Sequence, residues 1–285
     1  MRDLNENTIT QAVIAAVAST PDARTKQISE ALVRHLHAFI REIEPTEEEW
    51  NAGIDFLTRT GQTCSATRQE FILLSDTLGV SMMVDAINHR LPGNATETTV
   101  FGPFYVEPPR FENGEDMRGH LEGAPMLIEG RVFNEAGAPV AGATVDLWHS
   151  DQDGFYDLQL LDKNHALAGR GRLITDSEGR FHCWTARPSP YPIPYDGPVG
   201  QMLIAQERHP YRPEHVHFMI TAPECRKLVT HVFAADGKYL DSDVVFGVKD
   251  SLIEPYVAHK GGTAYNRKLD GNWFSLTRDF VLARA

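Results

Sequence analysis

The stretch HPYRPEHVHFMI, residues 209–220, holds three histidines and an arginine within twelve positions. His215 and His217 are two apart, so on a strand their imidazoles face the same side. Two imidazoles on one face can chelate a single metal ion. The same spacing fits a strand edge carrying two solvated histidines, and a bare HxH does not decide between the two. A metal needs further ligands. His149 in DLWHSDQDGFYD and His231 in LVTHVF are candidates, and each fits equally as a hydrogen-bonded structural histidine. Tyrosine offers oxygen instead. Tyr156 closes the turn DQDGFYD, and Tyr191 lies in RPSPYPIPYDGPVG, stiffened by Pro188, Pro190, Pro192, Pro194 and Pro198. So stiff a loop suits a side chain that must be positioned. Either tyrosine could also pack in a core with its hydroxyl on a backbone carbonyl.

These residues need a frame to bring them together. From Met126 onward the chain is strand-like: MLIEGRVFN, a turn-rich EAGAPVAG, then ATVDLWHSD. GRLITDSEGRFHCWT is expected to be two strands joined by the turn Asp176-Ser177-Glu178-Gly179, and VHFMITA and LVTHVFAAD continue the pattern. Short strands at such spacing predict an antiparallel β-sandwich. Residues 1–90 read as helical. In TKQISEALVRHLHAFIREI, Ile28, Leu32, Leu36, Phe39, Ile40 and Ile43 form one helix stripe. Thr46 and Glu49 open the next helix with a capping box, and Gly61 is expected to end it. In SATRQEFILLSDTLGVSMMVDAINH, Gly79 divides two helices more apolar than a surface requires. They form a buried hub or pair with another subunit. The expected architecture is therefore mixed. It has a helical region over 1–92, an ordered linker over 93–125 that wraps something, and a β-sandwich over 126–285.

Composition bounds the partners. The 285 residues, 42% hydrophobic and 23% charged, suffice for a real core in a soluble globular protein. A formal net charge of -12 argues against nucleic acid, whose phosphates need a basic surface. Cys64, Cys183 and Cys225 are distant and odd in number, so neither a disulfide framework nor a zinc ribbon is expected. No window approaches the roughly 20 apolar residues of a membrane span, and the N-terminal stretch reads as a helix rather than a signal peptide. The cytoplasm is the expected location.

The segments DLWHSDQDGFYD, RPSPYPIPYDGPVGQML and RPEHVHFMI, in this order and spacing, resemble the intradiol ring-cleaving dioxygenases, the catechol 1,2-dioxygenase family. The likeness spans nearly the whole chain, because the helical first 90 residues resemble the family's N-terminal dimerisation region. It implies a β-sandwich around one non-haem Fe(III) per subunit, held by two tyrosines and two histidines. On the matched motifs these are Tyr156, Tyr191, His215 and His217. The resemblance also implies that Tyr191 leaves the metal and helps accept a substrate proton. Arg212, three residues before the first histidine, matches an arginine expected to stabilise negative charge developing on the substrate. His231 stands where many relatives carry glutamine, which changes the hydrogen bonding behind the ligands. The chemistry is consistent. Ferric iron favours anionic oxygen, and a phenol with a pKa of about 10 loses its proton beside such an ion. The chain does not display the two-histidine, one-carboxylate pattern of Fe(II) oxygenases.

Within the family, WNAGIDFLTRTGQTC, FILLSDTLGVSMMVDAINH, YPIPYDGPVG and YLDSDVVFGVKDSL look most like the members that open benzene-1,2,4-triol, hydroxyquinol, with O2. This implies the product 3-hydroxy-cis,cis-muconate, or its tautomer maleylacetate. Cleavage of catechol or a substituted catechol to a cis,cis-muconate is the alternative. A third ring hydroxyl needs a polar partner, since one buried unpaired costs about 1–3 kcal/mol. Asp76 is a candidate for that partner, or else a cap for the next helix segment. Leu73, Val100, Phe101, Gly102, Pro103, Phe104, Ile193, Pro194 and Val245 are the expected pocket walls. The resemblance further implies a homodimer through the N-terminal helices, with a phospholipid trapped between them. Two other classes stay open. GRVFNEAGAPVAGATVDLW with the DSEGRF turn also resembles transthyretin-like β-sandwich modules that bind partners and catalyse nothing. An HxH could also serve a zinc hydrolase.

Overall fold

The structure is a computed structural model and describes residues 2–65, 68–90, 93–161 and 166–285. It divides into two units, Met1–Arg59 and Thr60–Ala285. The first holds α1 (Ile9–Val17), α2 (Ala23–Ile43) and most of α3 (Glu47–Thr63). Asp22 caps α2 by accepting from the Thr25 amide at 2.7 Å. The capping box of α3 forms as expected: Glu49 N donates to Thr46 Oγ1, and Thr46 N donates to Glu49 Oε2. The helix runs past Gly61 to Thr63, because one glycine weakens a helix without ending it. The apolar stripe of α2 stays exposed, with Leu32 at 62% and Phe39 at 53%.

The second unit begins with the end of α3, then α4 (Glu70–Thr77) and α5 (Val80–Asn88), parted by Gly79 at φ +72°. These helices fall within the expected helical region 1–92, yet they belong with the sandwich. Leu73, Asp76, Thr77 and Asp85 are buried there, while Phe71, Ile72, Val80, Met83, Val84 and Ile87 are exposed. The segment from 93 to 124 is ordered against the strands. Thr99 N donates to Val229 O, Phe111 N to Arg172 O and Met117 N to Trp184 O.

Two five-stranded sheets follow. One runs β10 (Val257–Ala264), β11 (Arg267–Thr277), β1 (Pro125–Asn134), β12 (Phe280–Leu282), with β4 (Arg180–Ala186) paired to β1. The other runs β3 (Arg170–Ile174), β2 (Thr144–His149), β7 (His215–Thr221), β8 (Leu228–Ala234), β9 (Ile253–Glu254). The sandwich is mixed in detail: β1 lies parallel to β11 and β12, and β8 parallel to β9. The turn at Asp176–Gly179 forms, with Asp176 Oδ1 accepting from the Glu178 and Arg180 amides. It does not close a hairpin, however. β3 pairs with β2, and β4 pairs with β1 in the opposite sheet. The turn thus carries the chain from one layer to the other, a choice local sequence does not encode.

Val145, Leu147, Val216, Phe218 and Ile220 join Ile128, Val132, Phe181 and Phe280 in the core between the sheets. A second apolar cluster contains Trp148 and Tyr156 with Leu73, Val100, Tyr191, Ile193 and Val245. Its cover includes an element the sequence left as loop, α6 (Pro198–Ala205). Pro198 starts this helix and the buried Glu70 accepts from Val199 N at 3.2 Å.

Candidate metal centre and substrate pocket

Alternation along β7 sets up the site. Val216, Phe218 and Ile220 enter the main core, so His215 and His217 face the second cluster, at 2% and 1% exposure. Register supplies the neighbours. His217 lies opposite Trp148 on β2 and His231 on β8, and its ring stacks on Trp148 at 4.6 Å. The short pair β5 (Tyr191–Pro192) and β6 (Tyr211–Arg212) sets Tyr191 opposite Arg212, only three residues before His215.

Tyr156 arrives on the Asp151–Tyr156 turn, where Asp151 Oδ1 accepts from the Asp153 and Phe155 amides. Its ring stacks on Phe104 at 4.4 Å and meets Tyr191 edge-on at 5.1 Å. Two features lock it. Asp157, the next residue, forms a buried ion pair with Arg170, whose NH1 also donates to Phe104 O at 3.1 Å. Gly154, at φ +85°, lets the two tyrosine loops touch, since a Cβ there would sit 3.0 Å from Pro190 O and from Tyr191 Cβ.

The resulting donor geometry fits a cation. Tyr156 Oη lies 2.8 Å from His217 Nε2 and 3.5 Å from His215 Nε2, and the two Nε2 atoms are 3.1 Å apart. His215 Nδ1 donates to Pro213 O at 2.7 Å, so in the neutral ring Nε2 presents a lone pair to this cluster. Burial, then the Arg212 charge, holds the His215 pKa far below its usual value. Burial and His215 do the same to His217. Both rings are therefore neutral, the form that ligates a metal. Burial and then Tyr191 push the Tyr156 phenol well above its ordinary pKa, so ionising it requires a strong positive charge nearby. Three electron-rich atoms crowd together with few protons between them, and His217 Nδ1 has no hydrogen-bond partner. A bound metal ion resolves that crowding.

Of the other histidines, His231 enters the cluster: its ligand atom and those of His215 and His217 all lie within 4.8 Å of one another. Arg212 NH2 approaches His231 Nδ1 at 3.4 Å. His149 does not join. Its nitrogens meet Ser150 O at 2.6 Å and Thr185 Oγ1 at 2.7 Å, and burial pulls its pKa down to about 4, so it is structural. His209 bonds Ser242 Oγ at 2.9 Å, away from the cluster.

A largely apolar cavity adjoins Tyr191 and Arg212. Leu73, Asp76, Val100, Gly102, Pro103, Phe104, Ile193, Pro194 and Val245 line it. Phe101 does not. It is 41% exposed and packs on Tyr105 and Trp148, away from the cavity that its neighbours Val100 and Gly102 line. Asp76 is buried, and burial raises its pKa against a hydrogen bond from Ser81. Arg68, Gln69, Glu70 and Ile72 also line the cavity, and Asp243 pairs with Arg212 nearby. None of these five was singled out from sequence. Asp243 lies inside YLDSDVVFGVKDSL, but nothing local marks it as the partner of an arginine 31 positions away.

A two-layer β-sandwich whose buried tyrosine and histidine donors lie beside a largely apolar cavity, lined by Tyr191 and Arg212, fits a metal-dependent enzyme. Residues 100–282 match the family described as "Dioxygenase" and residues 22–96 that described as "Catechol dioxygenase N terminus". The chain belongs to the intradiol ring-cleavage dioxygenases, a non-haem iron family. Over 283 residues it is 51% identical to the 6-chlorohydroxyquinol 1,2-dioxygenase of Cupriavidus pinatubonensis, covering 99% of each chain. It is 48% identical to the hydroxyquinol 1,2-dioxygenase of Nocardioides simplex, covering 98% of this chain and 96% of that one. The solved hydroxyquinol 1,2-dioxygenase from Pseudomonas putida DLL-E4 superimposes with a TM-score of 0.92 at 49% identity, over 98% of this chain and 99% of that one.

The contact at Gly154 has a direct consequence. Gly154→Ala combines a strained φ with a clash against the Tyr191 loop, and is expected to destabilise the protein by about 1–3 kcal/mol. Because it parts the two tyrosine loops, it should also lower the iron retained on purification. Thermal unfolding and metal analysis check this; wild-type stability and iron content in the variant would contradict it.

Proposed function

We propose that this chain opens benzene-1,2,4-triol between its adjacent hydroxyl-bearing carbons, using O2 and ferric iron. The convergence of Tyr156, His215 and His217 in a buried cluster beside a largely apolar pocket carries this reading, and the relatives' activities support it. Tyr156, Tyr191, His215 and His217 would hold one iron per subunit. When bound, ferric iron supplies a Lewis acid that draws electron density from the two adjacent substrate oxygens and primes the ring for O2.

The protein's own groups do the rest. The phenolic oxygen of Tyr191 takes up a proton from a substrate hydroxyl. Leu73, Val100, Ile193 and Val245 confine the ring and exclude water, which strengthens every charge interaction within. Arg212 keeps its positive charge. Burial opposes that charge, but Asp243 and the two phenols more than offset it. It therefore stands ready to stabilise negative charge as the ring opens. His231 sits behind the ligands and holds part of the Arg212 fork. Asp76 accepts a hydrogen bond from the third hydroxyl, the one catechol lacks. Both atoms of O2 enter the product, the bond between the hydroxyl-bearing carbons breaks, and each of those carbons becomes a carboxyl group. The product is 3-hydroxy-cis,cis-muconate, which tautomerises to maleylacetate.

We further infer a homodimer. α2 leaves its apolar stripe exposed, and α4 and α5 separately expose Phe71, Ile72, Val80, Met83, Val84 and Ile87, the kind of surface that marks an interaction site. A second copy would cover apolar surface of this kind, and we infer that a phospholipid is held at the interface between the two copies. No described helix is long and apolar enough to cross a membrane, and Cys64, Cys183 and Cys225 are free, which favours a reducing compartment such as the cytoplasm; cell fractionation tests that assignment.

Five measurements test these assignments. The purified protein is expected to be red-brown and to contain iron, its visible band shifting when hydroxyquinol binds. Oxygen uptake should favour hydroxyquinol over catechol; a clear preference for catechol, or a colourless folded protein without iron, sinks the proposal. Asp76→Asn should lower kcat/KM for hydroxyquinol by roughly 10-fold, the scale of one hydrogen bond, with little change for catechol. An equal loss on both substrates would remove Asp76 from substrate recognition. Sedimentation should show a dimer that Leu36→Glu weakens, and lipid extraction with mass spectrometry should recover a phospholipid. A wild-type monomer, or an extract without lipid, would dispose of the corresponding assignment.

A further inference from the structure

Arg212 places a full positive charge, 2% exposed, among neutral rings. A guanidinium so buried is tolerated only where a carboxylate meets it. Asp243, 5% exposed, meets it side-on: Arg212 Nε donates to Oδ1 at 3.1 Å and NH2 to Oδ2 at 3.2 Å. The same oxygens are fixed by the backbone, Oδ1 accepting from Val245 N at 3.3 Å and Oδ2 from Gly247 N at 2.9 Å. Gly247 lies so close that a Cβ there would come within 2.9 Å of Arg212 NH2. The carboxylate is thus held by the 243–247 segment and cannot swing.

A side-on pair has a geometric consequence. It engages Nε and NH2 and leaves NH1 as the one guanidinium nitrogen not bonded to Asp243. NH1 is directed at the metal-facing side, 3.3 Å from His215 Nε2. Resting on the role proposed above for Arg212, we propose that Asp243 is a positioning residue for ring cleavage. It fixes the plane of the Arg212 guanidinium so that NH1 is held on the side where His215 and the cavity meet. Through Val245 N it ties the same segment to the pocket wall. Asp243 touches no candidate metal ligand and acts through the arginine.

The test is a double-mutant cycle on the intact holoenzyme. Asp243→Asn should keep its iron and its visible band. Its KM for hydroxyquinol should be nearly unchanged, while kcat falls on the order of 10- to 100-fold, the effect of a misplaced transition-state group. In an Arg212→Lys background, where the fork is already gone, adding Asp243→Asn should cost little more. Asp243→Glu keeps the charge the fold needs but displaces the guanidinium by a methylene, and should show the same kcat-selective loss. Additive losses in the cycle, loss of iron in Asp243→Asn, or wild-type kcat in folded Asp243→Glu would each overturn the proposal. If Arg212→Lys alone leaves kcat unchanged, the role of Arg212 fails first and that of Asp243 with it.

Discussion

The site depends on one strand with two buried faces. β7 sends Val216, Phe218 and Ile220 into the sandwich core, which fixes its register between β2 and β8. Because side chains alternate strictly, that same burial forces His215 and His217 to the opposite face. The cost of a one-residue slip is large: it would put two imidazoles in an apolar core and hydrophobic side chains where the candidate metal ligands lie. Core packing and donor geometry are therefore the same constraint, and precise placement of the imidazoles needs no separate device. The cover over that face, from α4, the 100–104 segment, the proline loop and α6, buries the site.

A buried site raises the stakes for every charge in it. Arg212, Arg170 and Glu70 are all buried or nearly so, and each is paired: with Asp243, with Asp157 and with Arg68. Such pairs contribute little net stability, since desolvation offsets much of their attraction, but breaking one leaves an uncompensated charge. Their positions suggest what they secure. Asp157–Arg170 lies directly behind Tyr156 and Phe104, Glu70 binds the start of α6 at the pocket rim, and Asp243 holds Arg212. Fixed geometry at the centre rests on charge pairing just outside it.

The neutral and charged groups are also sorted consistently. Low-dielectric surroundings keep the histidines unprotonated and the Tyr156 phenol protonated until a cation arrives. The same surroundings would defeat Arg212 but for its carboxylate. One environment thus prepares ligands that want a metal and an arginine that keeps its charge in the presence of one.

Much of this was legible in the chain. Strand alternation put His215 and His217 on one face, the capping box at Thr46 and Glu49 formed, and Gly79 parted two helices, because each rests on contacts between near neighbours. The family resemblance implied Tyr156 and Tyr191, and most of the residues expected as pocket walls lie around one cavity. What sequence could not express is which distant segments meet. Asp176–Gly179 reads as a hairpin turn and instead crosses between sheets; Phe101 reads as wall and faces outward; α6 reads as loop; Asp243 reads as one acid among many. Local periodicity decides which residues share a face. Only the tertiary structure decides what that face meets, because pairing between strands and burial of charge are settled by contacts far apart in the chain.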